Sequence, residues 1–228
     1  LATVCATAPA KDVVRLGYGC GALARIVVIA AHPQLAHSRA TRALMEAAAR
    51  LPAAQVDVRD LYALYPDYLI DIAAEQAGLA DAELLVWLHP VHWYAMPPLL
   101  KLWLDEVFTF GWAYGPGGRA LAGKALWLAA STGGPESSYR PEGYNRHVLA
   151  DFLRPCEQTA ALTHMRWLPP LVLHGAHRAS DAEIAAHAAL FAARLAAWPS
   201  ATGWVEGTAE AATGCEVPAD ARPAGGPG

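Results

Sequence analysis

The stretch RIVVIAAHPQLAHSRATRALMEAAARL, Arg25–Leu51, reads in three parts. RIVVIAA (Arg25–Ala31) is short, continuous and β-branched, the pattern of a strand buried on both faces. Ala40, Leu44, Ala47, Ala48 and Leu51 then share one face of a helix, with Arg42, Glu46 and Arg50 on another. Between strand and helix lies the polar loop HPQLAHSRAT (His32–Thr41).

The alternation continues along the chain. QVDVRD (Gln55–Asp60) alternates as a strand, and Asp71–Ala80 can form a helix. ELLVWLH (Glu83–His89) is a third strand. Pro97–Phe108 is helical, since proline is tolerated in a first turn. KALWLAA (Lys124–Ala130) is a fourth strand, Arg146–Thr163 a helix, and LVLHGA (Leu171–Ala176) a fifth strand. The last helix opens with a capping box, Ser180 and Glu183, and repeats Ile184, Ala188, Phe191, Leu195 and Trp198 at helical spacing. Five strands alternating with helices predict an α/β fold, a doubly wound five-stranded parallel sheet with helices on both faces. Right-handed crossovers leave few strand orders. The organised domain is residues 25–198. Residues 1–24 and the tail 199–228 are rich in Ala, Gly, Thr and Pro and are expected to be poorly ordered or disordered.

Composition removes several function classes. The 228-residue chain is 54% hydrophobic and 17% charged, with a net charge of -4, so it lacks the basic footprint of a nucleic-acid binder. It has no run of eighteen apolar residues to span a membrane, and its first residues lack the pattern of a signal peptide. Cys5, Cys20, Cys156 and Cys215 form no C-x-x-C pair, which points to a reducing, cytoplasmic setting rather than a disulfide framework.

On a parallel sheet, ligands sit beyond the carboxyl ends of the strands. The loop after strand one enters a helix through Ser38, which either caps that helix or presents its free N–H groups to a phosphate, with Arg39 adding charge. After strand four, Gly133 and Gly134 suit either a surface turn or a close backbone approach to a ligand. After strand three comes HPVHWYAMP (His89–Pro97). Trp87, Trp103 and Phe108 read as core, whereas Trp93 and Tyr94 lie in the loop and could stack a flat ring. His89 and His92 lack a third ligand for a metal, and no G-x-S-x-G elbow marks a hydrolase.

These segments together are specific. AHPQLAHSRAT, HPVHWYAMPPLLKLWLDEVFTFGWAYGPGGRALAGK and STGGPESSYRPEGYNR resemble the flavodoxin-like NAD(P)H:quinone oxidoreductases, nearest the branch that includes ancillary subunits of glutathione-regulated potassium-efflux antiporters. The resemblance covers about residues 25–198 and implies a flavodoxin-like sheet. It implies that His32 and Ser38 contact the flavin phosphate region. Pro90, Val91, His92, Trp93 and Tyr94 would hold the isoalloxazine, with Thr132, Gly133 and Gly134 at its pyrimidine edge. Tyr139 would face the substrate. Where this chain has His92, many members of the resembled family have Gln, and where it has Thr41, Asn is frequent. The nearest histidine beyond the T-G-G loop is His147.

The activity implied is two-electron reduction of quinones by NAD(P)H through a flavin, with one slot used twice in a ping-pong cycle. FMN is expected over FAD, because no extra segment is seen to hold an adenine. A homodimer is implied, with Trp112 and Tyr114 near its boundary. A second implied reading is an ancillary regulatory subunit of a potassium/proton efflux antiporter, held peripherally at the inner membrane by that partner. A third is a flavodoxin-like electron carrier, which the modest net charge disfavours.

Overall fold

A computed structural model describes residues 26–199. The expected poorly ordered segments, 1–24 and nearly all of the tail, lie outside the described residues. Five strands form one sheet: β1 (Ile26–Ala30), β2 (Val56–Asp60), β3 (Leu84–Pro90), β4 (Ala125–Ser131) and β5 (Arg166–Leu173). All neighbours pair in parallel, in the order β2-β1-β3-β4-β5. Helices α1 (Arg39–Ala49), α2 (Leu61–Leu64), α3 (Ile72–Ala80), α4 (Pro98–Val107), α5 (Leu149–Leu162) and α6 (Asp181–Ala196) connect and cover them.

Alternation along the central strands divides the core in two. Val27, Ile29, Leu85, Trp87, Leu126 and Leu128 face α2–α5, where Leu79, Trp103 and Cys156 meet them. Val28, Val86, Leu88 and Trp127 face α1 and α6, against Leu44 and Phe191. Trp87 and Trp103 are fully buried and Phe108 nearly so, as their sequence setting suggests.

A buried carboxylate ties the first layer to the sheet edge. Glu75 of α3 accepts from Arg59 of β2, from the Tyr65 hydroxyl just past α2, and from Trp103 Nε1 of α4 at 2.9 Å. Arg59 also reaches Asp57. Four elements thus share one fully partnered charge, and removing a partner from such a pair costs about 3–5 kcal/mol.

Two local readings change. β5 begins at Arg166, five residues before the expected Leu171, and ends at Leu173 rather than Ala176. Pro169 and Pro170 hid it. They are tolerated because β5 is an edge strand, and the register shifts opposite them between Trp127 and Ala129. His174, Gly175 and Ala176 therefore belong to the loop beyond the sheet. The one-turn helix α2 was not foreseen. It starts at Asp60, whose carboxylate accepts from the N–H groups of Tyr62 and Ala63. The capping box of α6 forms as expected.

Candidate functional site

β1 and β3 are neighbours, but the chain leaves them for opposite faces, α1 on one and α4 on the other. Their carboxyl ends therefore border a crevice. A cavity of about 720 Å³ lies there. Its walls include His32, Ser38 and Arg39 from the first loop, Pro90, Val91, His92 and Trp93 from the loop after β3, and Thr132 and Gly133 from the loop after β4. Tyr94, Gly134 and Tyr139 line an adjoining cavity of about 230 Å³, which Val91 and Trp93 also border. All twelve residues expected at the site thus stand around two adjoining spaces that share Val91 and Trp93.

Ser38 caps α1: its Oγ accepts from Thr41 N–H at 3.1 Å. No hydrogen bond among the described residues uses the N–H groups of Arg39 or Ala40. Those donors and the helix dipole put partial positive charge at this end of the cavity. Arg39 bends away to Asp181 Oδ1 (2.5 Å) and Ala179 O (2.9 Å) at the start of α6, so part of its charge is spent there.

His32 Nδ1 accepts from Gln34 N–H at 3.1 Å. Its ring meets His92 edge-on, with centroids 5.8 Å apart. Burial first, and His92 second, hold the His32 pKa below its ordinary value. Below them His89 is fully buried; burial pushes it down to about 4, and its Nδ1 donates to Pro90 O at 2.9 Å. No Asp or Glu lines the larger cavity.

The loop after β3 closes on itself. His92 and Ala95 exchange two backbone hydrogen bonds of 3.0 Å, leaving Trp93 and Tyr94 as the two central residues of a tight turn. Both have positive φ, 48° and 65°. A two-residue turn of this kind calls for Asn-Gly, and an L-residue with a side chain costs about 1–2 kcal/mol in that region. Strain of this kind gathers at functional sites. Trp93 is 92% exposed yet borders both cavities. Tyr94 stacks on Phe152 at 4.8 Å, and its hydroxyl donates to Asn145 Oδ1 at 3.3 Å.

The loop after β4 is held by the loop after β5. Ala176 N–H donates to Thr132 O (2.9 Å) and Gly175 N–H to Gly134 O (2.9 Å). Thr132 Oγ1 donates to Gly134 O (2.8 Å) and lies 3.1 Å from His174 Nδ1. A Cβ on Gly133 would meet the His177 ring at 3.3 Å, a tight contact that this exposed side chain would have to yield to. The N–H groups of Gly133 and Gly134 have no backbone partner among the described residues. Tyr139 is 9% exposed, packed between His174 and Phe152, and burial raises its pKa.

Sequence reasoning missed His177 and Ala176, which line the larger cavity, and His174. The signal was the H-G-A-H run, misread because strand five was placed over it. It also passed over Gln34, His37 and Ser131. His147 lines neither cavity and sits 3.9 Å from Asp151 at the start of α5. Trp112 and Tyr114 are half-buried against the core, and Phe110 is the more exposed ring of that segment.

Residues 24–195 match a protein family described as having a flavodoxin-like fold. The chain is 46% identical over 164 residues to a glutathione-regulated potassium-efflux system ancillary protein, KefG, of Cronobacter sakazakii, covering 72% of this chain and 88% of that one. It superposes on general stress protein 14 of Treponema denticola in complex with FMN, with a TM-score of 0.72 and 38% identity, over 76% of this chain and 98% of the other. A NADPH-quinone reductase from P. pentosaceus gives a TM-score of 0.67 at 26% identity, over 75% and 97%.

Proposed function

The chain belongs to the flavodoxin-like family matched over residues 24–195, and from that premise we propose that it is an FMN-dependent NAD(P)H:quinone oxidoreductase that transfers two electrons in a ping-pong cycle. One observation carries the reading. The crevice between β1 and β3 joins an acid-free helix terminus to an open space walled by backbone and aromatic rings. That is the order of groups needed by a phosphate, a linker and a planar ring. The 720 Å³ cavity falls in the range of cofactor pockets. The FMN complex and the quinone reductase among the similar structures support it from outside the chain.

The residues present fit such a group. The Arg39 and Ala40 N–H groups, with the Ser38 hydroxyl and His32 Nε2, would bind the phosphate. Pro90, Val91 and Trp93 would flank the ring. When bound, the flavin supplies the two-electron chemistry, which the protein only places and tunes. The N–H groups of Gly133 and Gly134 would donate to the ring's polar edge and favour the negative charge that grows there. Thr132, tied to Gly134 and His174, would fix that loop. In the smaller cavity Tyr94, Tyr139 and Tyr144 would form the walls against which nicotinamide and then quinone stack in turn. Tyr139, with its proton held by burial, would donate a hydrogen bond to the quinone oxygen.

Initial rates test this. With NADPH varied at several quinone concentrations, double-reciprocal plots should be parallel, and heat should release FMN. A flavin-loaded protein that reduces no quinone with NAD(P)H would overturn the enzymatic reading; intersecting lines would overturn the shared slot, and release of FAD alone the choice of FMN.

A second reading stands beside it, favoured by the 46% identity to an ancillary protein of a potassium-efflux system. We propose that the chain also docks on a potassium/proton efflux antiporter. No helix among the described residues is long and apolar enough to cross a membrane, so the partner would supply the membrane attachment. A homodimer is part of the same proposal. Co-purification with an antiporter tests the partner.

A further inference from the structure

We propose that His92 makes the cavity selective for a phosphorylated flavin: its imidazole takes up a proton as the phosphate arrives, so FMN binding is proton-linked and riboflavin binding is not. The proposal rests on the flavin reading above and concerns this chain's own departure from the glutamine common in the resembled family.

Four imidazoles line the cavity, those of His32, His37, His92 and His177, and it is the His92 ring that meets His32 edge-on. His92 is the first residue of the strained turn, fixed by both backbone bonds to Ala95. Its ring lies against His32 across the crevice, on the same cavity as Ser38 and the open end of α1. His32 itself is a poor proton acceptor. Its Nδ1 already accepts from Gln34 N–H, so a second proton there would set two N–H groups against each other. His32 therefore stays neutral, with Nε2 as its donor. The His92 side chain makes no hydrogen bond among the described residues and can carry the charge without breaking one.

The surroundings explain why a proton should come with the ligand. From the segment between β1 and α1, His32, Gln34 and His37 border the cavity, and from the start of α1, Arg39 does. From β3 there is buried, neutral His89, and from the loop before α6 there is His177. Ser131, Thr132 and Gly133 add no charge. Asp181 is engaged by Arg39. Without a ligand, no carboxylate lines the cavity to offset an imidazolium. A phosphate dianion supplies the missing counter-charge and so favours the protonated ring. The sign follows: the complex holds more protons than the free partners near neutrality, so affinity falls as pH rises. One linked proton permits at most about a tenfold change per pH unit. Below about pH 6 the phosphate takes its own second proton and the gain levels off.

The test is binding, not turnover. Flavin-free protein is titrated with FMN and with riboflavin by fluorescence quenching from pH 6.5 to pH 8.5, in phosphate-free buffer. FMN affinity should fall about tenfold across that range and riboflavin affinity by less than twofold. His92→Gln should keep FMN binding but flatten its pH profile, whereas His177→Gln should leave the slope in place. Calorimetry in two buffers of different ionisation heat should show proton uptake with FMN in the parent chain and none in His92→Gln. Parallel pH dependence for both flavins, or a slope and proton uptake surviving in His92→Gln, overturns the role of His92 alone. Failure of both flavins to bind at any pH removes the flavin reading itself.

Discussion

Ser38→Asp should leave the protein folded and stop it from holding FMN. The side chain at this position has two duties that the substitution separates. As a cap, Ser38 accepts from Thr41 N–H, and Asp caps a helix about as well as Ser. A carboxylate there also suits the positive end of the helix dipole. As part of the cavity, however, Ser38 stands where the phosphate would enter, in a lining without any acid. Two unit charges about 4 Å apart repel by about 4 kcal/mol at an effective dielectric of 20. After screening by salt, a loss of about 100-fold or more in FMN affinity remains. Thermal unfolding should be little changed. Ser38→Ala is the converse control: it should cost about 1 kcal/mol of stability with the cap and only a small part of the affinity. Unchanged FMN binding in Ser38→Asp would mean that the phosphate goes elsewhere.

Replacing Trp93 and Tyr94 together by Asn and Gly should stabilise the fold and weaken flavin binding. Both residues have positive φ, the backbone that Asn-Gly adopts without strain in a two-residue turn. Relief of about 1–2 kcal/mol per residue is partly offset by loss of the Tyr94–Phe152 stack, about 0.5–1.5 kcal/mol. Taken at the middle of these ranges, the net gain is about 2 kcal/mol, which corresponds to a rise of about 4–8 °C in Tm for a domain of this size. Trp93 is 92% exposed, so its removal opens no hole in the core. Flavin titration should show at least about a tenfold loss of affinity, as expected when a stacked aromatic worth roughly 1.5 kcal/mol is lost. A fall in Tm with flavin affinity intact would show that the turn serves the fold and not the ligand.

Much of the architecture was legible because the central strands are buried on both faces. Such strands read as unbroken apolar runs, and β1, β3 and β4 lie where those runs are. β5 was displaced because an edge strand can carry Pro169-Pro170, which looks like a break when edge and centre are not distinguished. α2 has four residues, too few for a helical period to show.

At the site, the loops were found from strand ends alone, and their residues do gather. Three features were not legible. Nothing in Trp93-Tyr94 announces a turn that normally takes Asn-Gly; only backbone angles reveal it. The pairing of Arg39 with Asp181 joins positions 142 apart in sequence and depends on how α6 packs beside α1. His174 and His177 come to the site only because β5 ends at Leu173.

The central claim is that the crevice between β1 and β3 holds a flavin that carries electrons in pairs. The most direct measurement is the visible spectrum of the purified, FMN-incubated protein under argon, freed of unbound flavin and titrated with NADPH. A yellow protein that bleaches in a single step with one equivalent, and regains its full colour with one equivalent of quinone, is the expected result. A colourless protein, or a yellow one that NADPH leaves unchanged or takes only halfway, would contradict it.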